Sequence, residues 1–496
     1  MTDMPASHRR ERGVSIVMLT FLVAFVLIPM IGLAIDGAVL FWMKAKLSAA
    51  VDAAALGAAR SLDVGANFIQ QKANAEALGG QYFDANFPVG ILRTTLVSSS
   101  VTVTKDDTKH TLTATATASV SVPTYFMRIL HFDSSTVAAT GQASRRNAIV
   151  VLVLDRSGSM TNKGSCDALI SNAQDFVNRF VDDFDTVGLV TFQTSANIDF
   201  TPVKKFKSST PSLKSTLDKL VCGGNTNAAA GLKKAYTWFQ DNVTKNSGYL
   251  NAILFFTDGQ PNVVQGTFKM KKKLDTRYDS TPLGILLLPV PKSNCDSSPL
   301  NGLIADDSDE NGASDIWTLN HFGQTSGLFQ TGSISIDKKG SLKKISGADN
   351  CAFDSDTDRM REDVRAIPDT DDFGGSTHGN PYLPTLDVLS APYAGEIRPD
   401  TPRNIHWAAF NSAESIAKQI RDDKDYGIII YTIGLQGNES MEMDQGFMER
   451  VANDPRAANY DSDPAKGQGK FALASDKSEL AAAFSAIASQ LLHLSQ

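Results

Sequence analysis

Asp155, Ser157 and Ser159 follow directly on the apolar run Ile149–Leu154, IVVLVL. Such a run, ending abruptly at oxygen-bearing side chains, reads as a buried parallel strand that stops at a site. A carboxylate and two hydroxyls at alternate positions on the turn that leaves a strand are donors suited to a hard divalent cation. Thr226 lies in the turn GGNTN, residues 223–227, ahead of a helical period through Leu232 and Tyr236. Asp258 closes a second apolar run in FFTDG, residues 255–259. In open α/β sheets, ligand sites form beyond the carboxyl ends of the strands. Three separate loops there would bring Asp155, Ser157, Ser159, Thr226 and Asp258 to one point. Asp155 and Ser157 are also good helix-capping residues, but a cap accounts for one loop and leaves Thr226 and Asp258 without a reason.

The elements that must position these residues are legible from residue 146 onward. Apolar strands are read at 149–154, 187–192, 253–257 and 428–433, with a last one near Phe471. Between them run helical periods: Leu169, Ala173, Phe176, Val177 and Phe180, then Ile405, Ala409, Ile416 and Ile420, and a closing helix over 479–494. Buried strands alternating with amphipathic helices predict an α/β fold, a doubly wound and mostly parallel sheet. Residues 263–400 break this beat with many Pro, Gly, Ser and Asp, and are read as a long, partly ordered insertion on the side of the site. The domain thus divides into 146–262 and 401–496 around that insertion.

Ahead of it, residues 14–35 carry no charge and are long enough to span a bilayer as a helix. Arg9, Arg10 and Arg12 precede them, which places the N-terminus in the cytoplasm and everything beyond Asp36 outside it. The alanine-rich continuation to residue 62 predicts an amphipathic stalk, with Leu47, Val51, Ala54, Ala55 and Leu56 near one stripe and small residues suited to helix–helix packing, a route to homo-oligomers. Residues 63–145 read as a small α+β spacer. Thr/Val/Ser alternation over 94–103 and 112–122, with a turn at 105–109, predicts a β-hairpin. A short helical stretch at 125–130 is expected to cover one of its faces. Residues 1–62 make up the tail, membrane helix and stalk.

Arg10-Glu-Arg-Gly13, the apolar helix, Ile35-Asp36-Gly37 and the run AVDAAALGA at 50–58 together resemble the TadE/TadG-like proteins of Tad (Flp) pilus assembly. Prepilin-like relatives in that group use a Glu five residues after the cleaved Gly; here that position is Met18. The set Asp155-x-Ser157-x-Ser159, Thr226 and Asp258 resembles the metal-ion-dependent adhesion site of von Willebrand factor A domains. That resemblance implies Ser157 and Ser159 as direct ligands, with Asp155, Thr226 and Asp258 bound directly or through water. It implies Mg²⁺, or another divalent cation, as the ion. Two carboxylates and three neutral hydroxyls leave its charge incompletely compensated, so an acidic side chain on a protein partner would complete the shell.

Other functions find little support. The net charge of −7 and the lack of a basic face argue against nucleic acid; the short block 269–273 reads as solvated surface. Ser157 lies in RSGS rather than a G-x-S-x-G elbow, and the seven histidines show no ligand spacing, so no enzyme is expected. Asp307, Asp309, Asn311, Gly312 and Asp315 resemble half a calcium loop, but its twelfth position is Thr318 rather than Glu; Asp354, Asp356 and Asp358 form a similar fragment. Ca²⁺ in the insertion is thus a minor expectation. The four cysteines lack a C-x-x-C pair, and outside the cytosol they favour disulfides, with Cys166–Cys222 and Cys295–Cys351 the preferred pairing. The sequence therefore predicts a single-pass protein of the bacterial inner membrane, its bulk periplasmic or extracellular, that binds pilus-assembly partners through a cation. The alternative is a structural envelope component whose cation only stabilises the fold.

Overall fold

A computed structural model describes residues 11–270 apart from 63, 64, 66, 89, 162 and 163, and then 300–306, 316–318, 334–336, 342–344, 364–399, 402–436, 443–463 and 465–493. The chain divides into two compact units between Asn147 and Ala148.

The first unit opens with α1 (Glu11–Leu22), a π-turn (Val23–Leu27) and α2 (Ile28–Arg60), which run on as one helix. Pro29 falls in the first turn of α2. Its ring cannot accommodate the carbonyl four residues back, and the wider π-turn just ahead of it relieves that clash. From Ile16 this helix is long and apolar enough to cross a membrane, and residues 16–31 are exposed along their whole length. The character then changes. Met43, Leu47, Ala50, Val51, Ala54 and Ala55 form a buried stripe, spaced three and four apart as one helical face requires.

That stripe is not a free stalk. It packs on a three-stranded antiparallel sheet ordered β1 (Thr95–Asp106), β2 (Thr111–Pro123), β3 (Ser134–Arg146), together with α3 (Phe68–Asn86). Alternate residues of β2, from Leu112 through Ala116 and Val120 to Val122, face inward with the period of two that a half-buried strand demands. Gly141 lets α2 approach closely, because a Cβ there would lie 2.7 Å from the carbonyl carbon of Val51. Leu56, placed on the stripe by sequence, points away and is 37% exposed. The hairpin forms where expected, whereas α3 and β3 were not foreseen. The stretch at 125–130 does not cover the hairpin: only Met127–Leu130 are helical, as one 3₁₀ turn, and Ile129 and Leu130 are exposed.

The second unit is built on a six-stranded sheet. In chain order its strands are β4 (Ala148–Asp155), β5 (Thr186–Phe192), β6 (Ala196–Val203), β7 (Leu250–Thr257), β14 (Ile429–Leu435) and β15 (Phe471–Ala474); in space they run β15-β14-β7-β4-β5-β6. All neighbours are parallel except β6, which returns antiparallel beside β5. Every residue of β4 is buried, so the strand is covered on both faces and has no need to alternate. Val150, Leu152 and Leu154 share a core with α4 (Ser165–Asn178), the short α5 (Leu213–Leu217) and α9 (Leu480–His493), where Phe176 meets Phe484. Val151 and Val153 face α6 (Ala228–Asn242), α7 (Pro402–Asp422) and α8 (Gln445–Ala452), with Phe239, Phe410 and Phe447. After β4 the chain builds outward through β5 and β6, then crosses to β7 on the other side. The carboxyl end of β4, beside that of β7, is therefore the topological switch point where such sheets open a crevice.

Directly after β7, β8 (Val263–Met270) pairs with β9 (Leu300–Asp306) and β13 (Val364–Ala366) in a smaller antiparallel sheet that β10 (Ile316–Thr318) extends beside β9, while β11 (Ile334–Ile336) and β12 (Leu342–Lys344) form a separate pair. Val264, Phe268 and Ile304 pack it on Ile405 and Ala408 of α7. The start of the long segment 263–400 is thus a folded extension of the same unit.

Candidate metal centre

All five oxygen-bearing residues lie at this switch point. Asp155 is the last residue of β4 and Asp258 directly follows β7. Thr226 sits two residues before α6, whose N-cap Asn227 accepts from the Ala230 N–H. Asp155 does not cap α4: that helix begins ten residues later, and its cap position is Gly164. The Asp155 carboxylate instead accepts from Ser157 N–H at 2.8 Å and from Thr257 Oγ1 at 2.5 Å.

The oxygens form a chain across the crevice. Ser157 Oγ and Ser159 Oγ are 2.9 Å apart, and Ser159 Oγ donates to Asp258 Oδ1 at 2.6 Å. Gly259 borders both loops, since a Cβ placed there would fall 3.4 Å from Ser159 Oγ and 3.6 Å from Thr226 Oγ1. Adjacent ligands of an octahedral Mg²⁺ at about 2.1 Å lie roughly 3 Å from one another. The donor types and spacings therefore fit such an ion, with the missing side chain of Gly259 keeping the space open. Asp155, Ser157 and Thr226 are buried whereas Ser159 is exposed, so the cluster has a dry floor and a wet rim. Burial, reinforced by the nearby Asp258 carboxylate, pushes Asp155 up to about 7. A divalent cation between the two would remove that repulsion.

The surrounding loops are tied down by backbone. Gly158 N–H donates to Gly224 O at 2.7 Å and Gly223 N–H to Arg156 O at 2.7 Å, joining the Asp155 loop to the Thr226 loop. Gly224 has φ +96°, a conformation in which a side chain is strained. Thr226 N–H donates to Asn262 Oδ1 at 2.8 Å and Asn262 N–H returns a bond to Thr226 O at 3.1 Å, joining the second loop to the third. A disulfide between Cys166 and Cys222 adds a covalent strap from α4 to the Thr226 loop. This is the pairing read from the sequence; Cys295 and Cys351 lie outside the described residues. The calcium-loop residues Asp307–Asp315 and Asp354–Asp358 lie outside them too. Among the described residues no group of three or more His, Cys, Asp or Glu side chains is placed to hold a metal, which leaves this hydroxyl-rich cluster as the candidate.

Thr257 and Asn262 were missed by the sequence reading. Thr257 had a signal, being the residue beside Asp258 at the strand end; Asn262 had none, because its role depends on a loop that folds back.

Residues 150–260 match the von Willebrand factor type A domain family, and residues 13–61 match the putative Flp pilus-assembly TadE/G-like family. The matched stretches are thus an A-domain-like part of the α/β unit and, ahead of it in the sequence, a TadE/G-like stretch that includes the apolar helix. Among curated proteins it is similar to calcium-activated chloride channel regulator 1 of Homo sapiens, 29% identical over 139 residues, 27% of this chain and 15% of that protein. Regulator 3A-1 of Mus musculus is 30% identical over 140 residues, 28% of this chain and 15% of that protein. The chain therefore spans only about a seventh of these relatives' length. Solved structures with likeness include the vWF domain of the type V pili tip protein Mfa5 from Porphyromonas gingivalis, with 16% identity, TM-score 0.36, and coverage of 71% of this chain and 98% of that one. The PilB minor pilin from Streptococcus sanguinis gives 14% identity, TM-score 0.36, and coverage of 82% and 80%. Superpositions this loose do not bear on function.

Proposed function

We propose that this chain, joining a TadE/G-like segment to a von Willebrand factor A domain, is a membrane-anchored protein of pilus assembly or adhesion. It binds a partner protein through a divalent cation, Mg²⁺ by the donor set, rather than catalysing a reaction. The observation that carries this reading is the meeting of Asp155, Ser157, Ser159, Thr226 and Asp258 at one crevice: three loops, five oxygen-bearing side chains and only two carboxylates. Five side chains leave one of the six octahedral positions of a cation held there to be filled from the exposed rim, where an acidic side chain from a partner would enter its shell. Residues 14–35 anchor the chain, and the arginines before them keep the N-terminus in the cytoplasm. The disulfide supports an extracytoplasmic site, since such bonds persist in oxidising compartments. The small-residue face at 50–58 is occupied within the chain by β3 and α3, so any self-association through the N-terminal helix falls to the membrane segment itself.

The test uses the full chain in detergent. Mg²⁺ titration by calorimetry should give saturable binding that Asp155→Ala abolishes and that Ser159→Ala, a change at an exposed position, weakens at least tenfold. Cross-linking in cells should then yield a partner with the native chain and lose it with Ser159→Ala. Unchanged Mg²⁺ affinity in both variants sinks the cation site. The second reading, a cation that only stabilises the fold, is favoured by the Asp155–Asp258 repulsion; it predicts lost Mg²⁺ stabilisation with partner capture intact.

A further inference from the structure

We infer that residues 125–132, YFMRILHF, form a second membrane contact, seated at the boundary of headgroups and acyl chains beside the N-terminal helix; this rests on reading that helix as an anchor. Asp36, at the end of the apolar run, is buried, and its carboxylate accepts three consecutive backbone N–H groups, from Tyr125 at 2.8 Å, Phe126 at 2.9 Å and Met127 at 2.6 Å. One turn earlier, Gly32 is buried because Phe126 lies on it: a Cβ at Gly32 would fall 2.7 Å from Phe126 Cβ and Cγ. The turn is therefore fixed at the level of the last turn of the 14–35 span, not out along the water-exposed part of the unit.

Its surface suits that depth. Ile129 is 78% exposed, Leu130 68%, Phe132 59% and Tyr125 49%. They continue the exposed apolar surface of Ile31, Leu33 and Ile35 on the helix itself. One tyrosine with its polar tip, a phenylalanine and aliphatic side chains beside one arginine are the composition of an interfacial belt, and the exposed Arg128, paired with an equally exposed Asp133 at 3.3 Å, has the length to reach headgroup phosphate. The backbone is prepared for a dry setting as well. Besides the three N–H groups on Asp36, Ile129 N–H donates to Phe126 O, His131 N–H to Arg128 O and Phe132 N–H to Met127 O. A segment that leaves water must satisfy its backbone in this internal way. The occupant is thus lipid, continuous with the bilayer around the helix.

The test reconstitutes the full chain in phosphatidylethanolamine–phosphatidylglycerol vesicles containing acyl-chain nitroxide lipid. The fluorescent residue acridonylalanine replaces Leu22, Ile129 or Asp107 one at a time, Asp107 lying in the hairpin turn at the far end of β2. Quenching at 129 should be at least threefold that at 107 and of the order seen at 22. Strong quenching at 22 with none at 129 overturns the inference and leaves the anchor standing. Absence of quenching at 22 removes the anchor and the inference together. Cross-linking of 129 to 129 between copies, without quenching, identifies a self-contact and also overturns it.

Discussion

At the residue scale the centre rests on a conflict between two carboxylates. Asp155 is buried, and Asp258 stands close enough to raise its proton affinity, so without a cation the pair is a local cost. Asp258→Asn keeps an oxygen for the Ser159 hydroxyl while removing the charge. The metal-free variant should be as stable as the native chain or up to about 1 kcal/mol more stable at neutral pH. It should also lose the stabilisation that Mg²⁺ gives the native chain, about 2.7 kcal/mol at a hundred times the dissociation constant. Urea unfolding with EDTA and with Mg²⁺ measures both; a variant that Mg²⁺ still stabilises fully removes Asp258 from the site. The grouping was legible beforehand because Asp155, Ser157 and Ser159 stand at alternate positions on the turn that leaves an unmistakable strand. Asn262 was not, since nothing local marks a side chain whose partner lies thirty-six residues away.

At the element scale, the strands and helices read correctly were those whose burial leaves an apolar signature, a continuous run in a strand covered on both faces or a stripe on a helix. β4 and β7 are buried on both faces, and α4 and α7 each show one apolar face. The misses have the opposite character. β6 is an edge strand carrying Pro202 with mostly exposed side chains, which the ladder tolerates only at an edge. β3 buries little more than Val137, Ala139 and Gly141 on its inner face, too small a signal to distinguish from a loop. α3 contains Gly79 and Gly80, which lower helix propensity. The short edge strand β15 depends on a device invisible to periodicity. Asp454, just past α8, accepts from Phe471 N–H at 2.9 Å and pairs with Arg456, whose guanidinium also donates to Phe471 O. These contacts outweigh its burial and hold Asp454 at about 2, below its ordinary 3.8. Because the folded value is the lower one, the stabilisation is fully present above about pH 4 and is lost as pH falls toward 2. Asp454→Asn should cost about 1–2 kcal/mol at neutral pH. The gap from the native chain should close in urea titrations between pH 4 and 2; a gap that is constant across that range refutes the pinning role.

At the scale of the whole molecule, the division between Asn147 and Ala148 separates two cores with different tasks. The first buries Met43, Leu47 and Val51 against a small sheet, so that a helix able to cross a membrane is continuous with a folded support. The second buries β4 between two helical layers and opens its crevice at the strand ends. Composition announced the change of character near residue 146, but not how the first unit folds, because its small and hydroxylated side chains leave little apolar contrast. The hydrogen bonds described above for the centre join Asp155 and residues after it, and the strap from Cys166 to Cys222 lies wholly within the second unit. A fragment covering residues 147–496 should therefore fold without the first unit, provided it is made under oxidising conditions. Its sheet should unfold in one cooperative step, with stability within about 0.5 kcal/mol of the same transition in the full chain. Its Mg²⁺ affinity should agree within twofold. If the fragment is folded by circular dichroism yet binds Mg²⁺ tenfold more weakly, the first unit shapes the centre and the separation of tasks is wrong. If affinity is kept, the sheet and its loops suffice to build the centre.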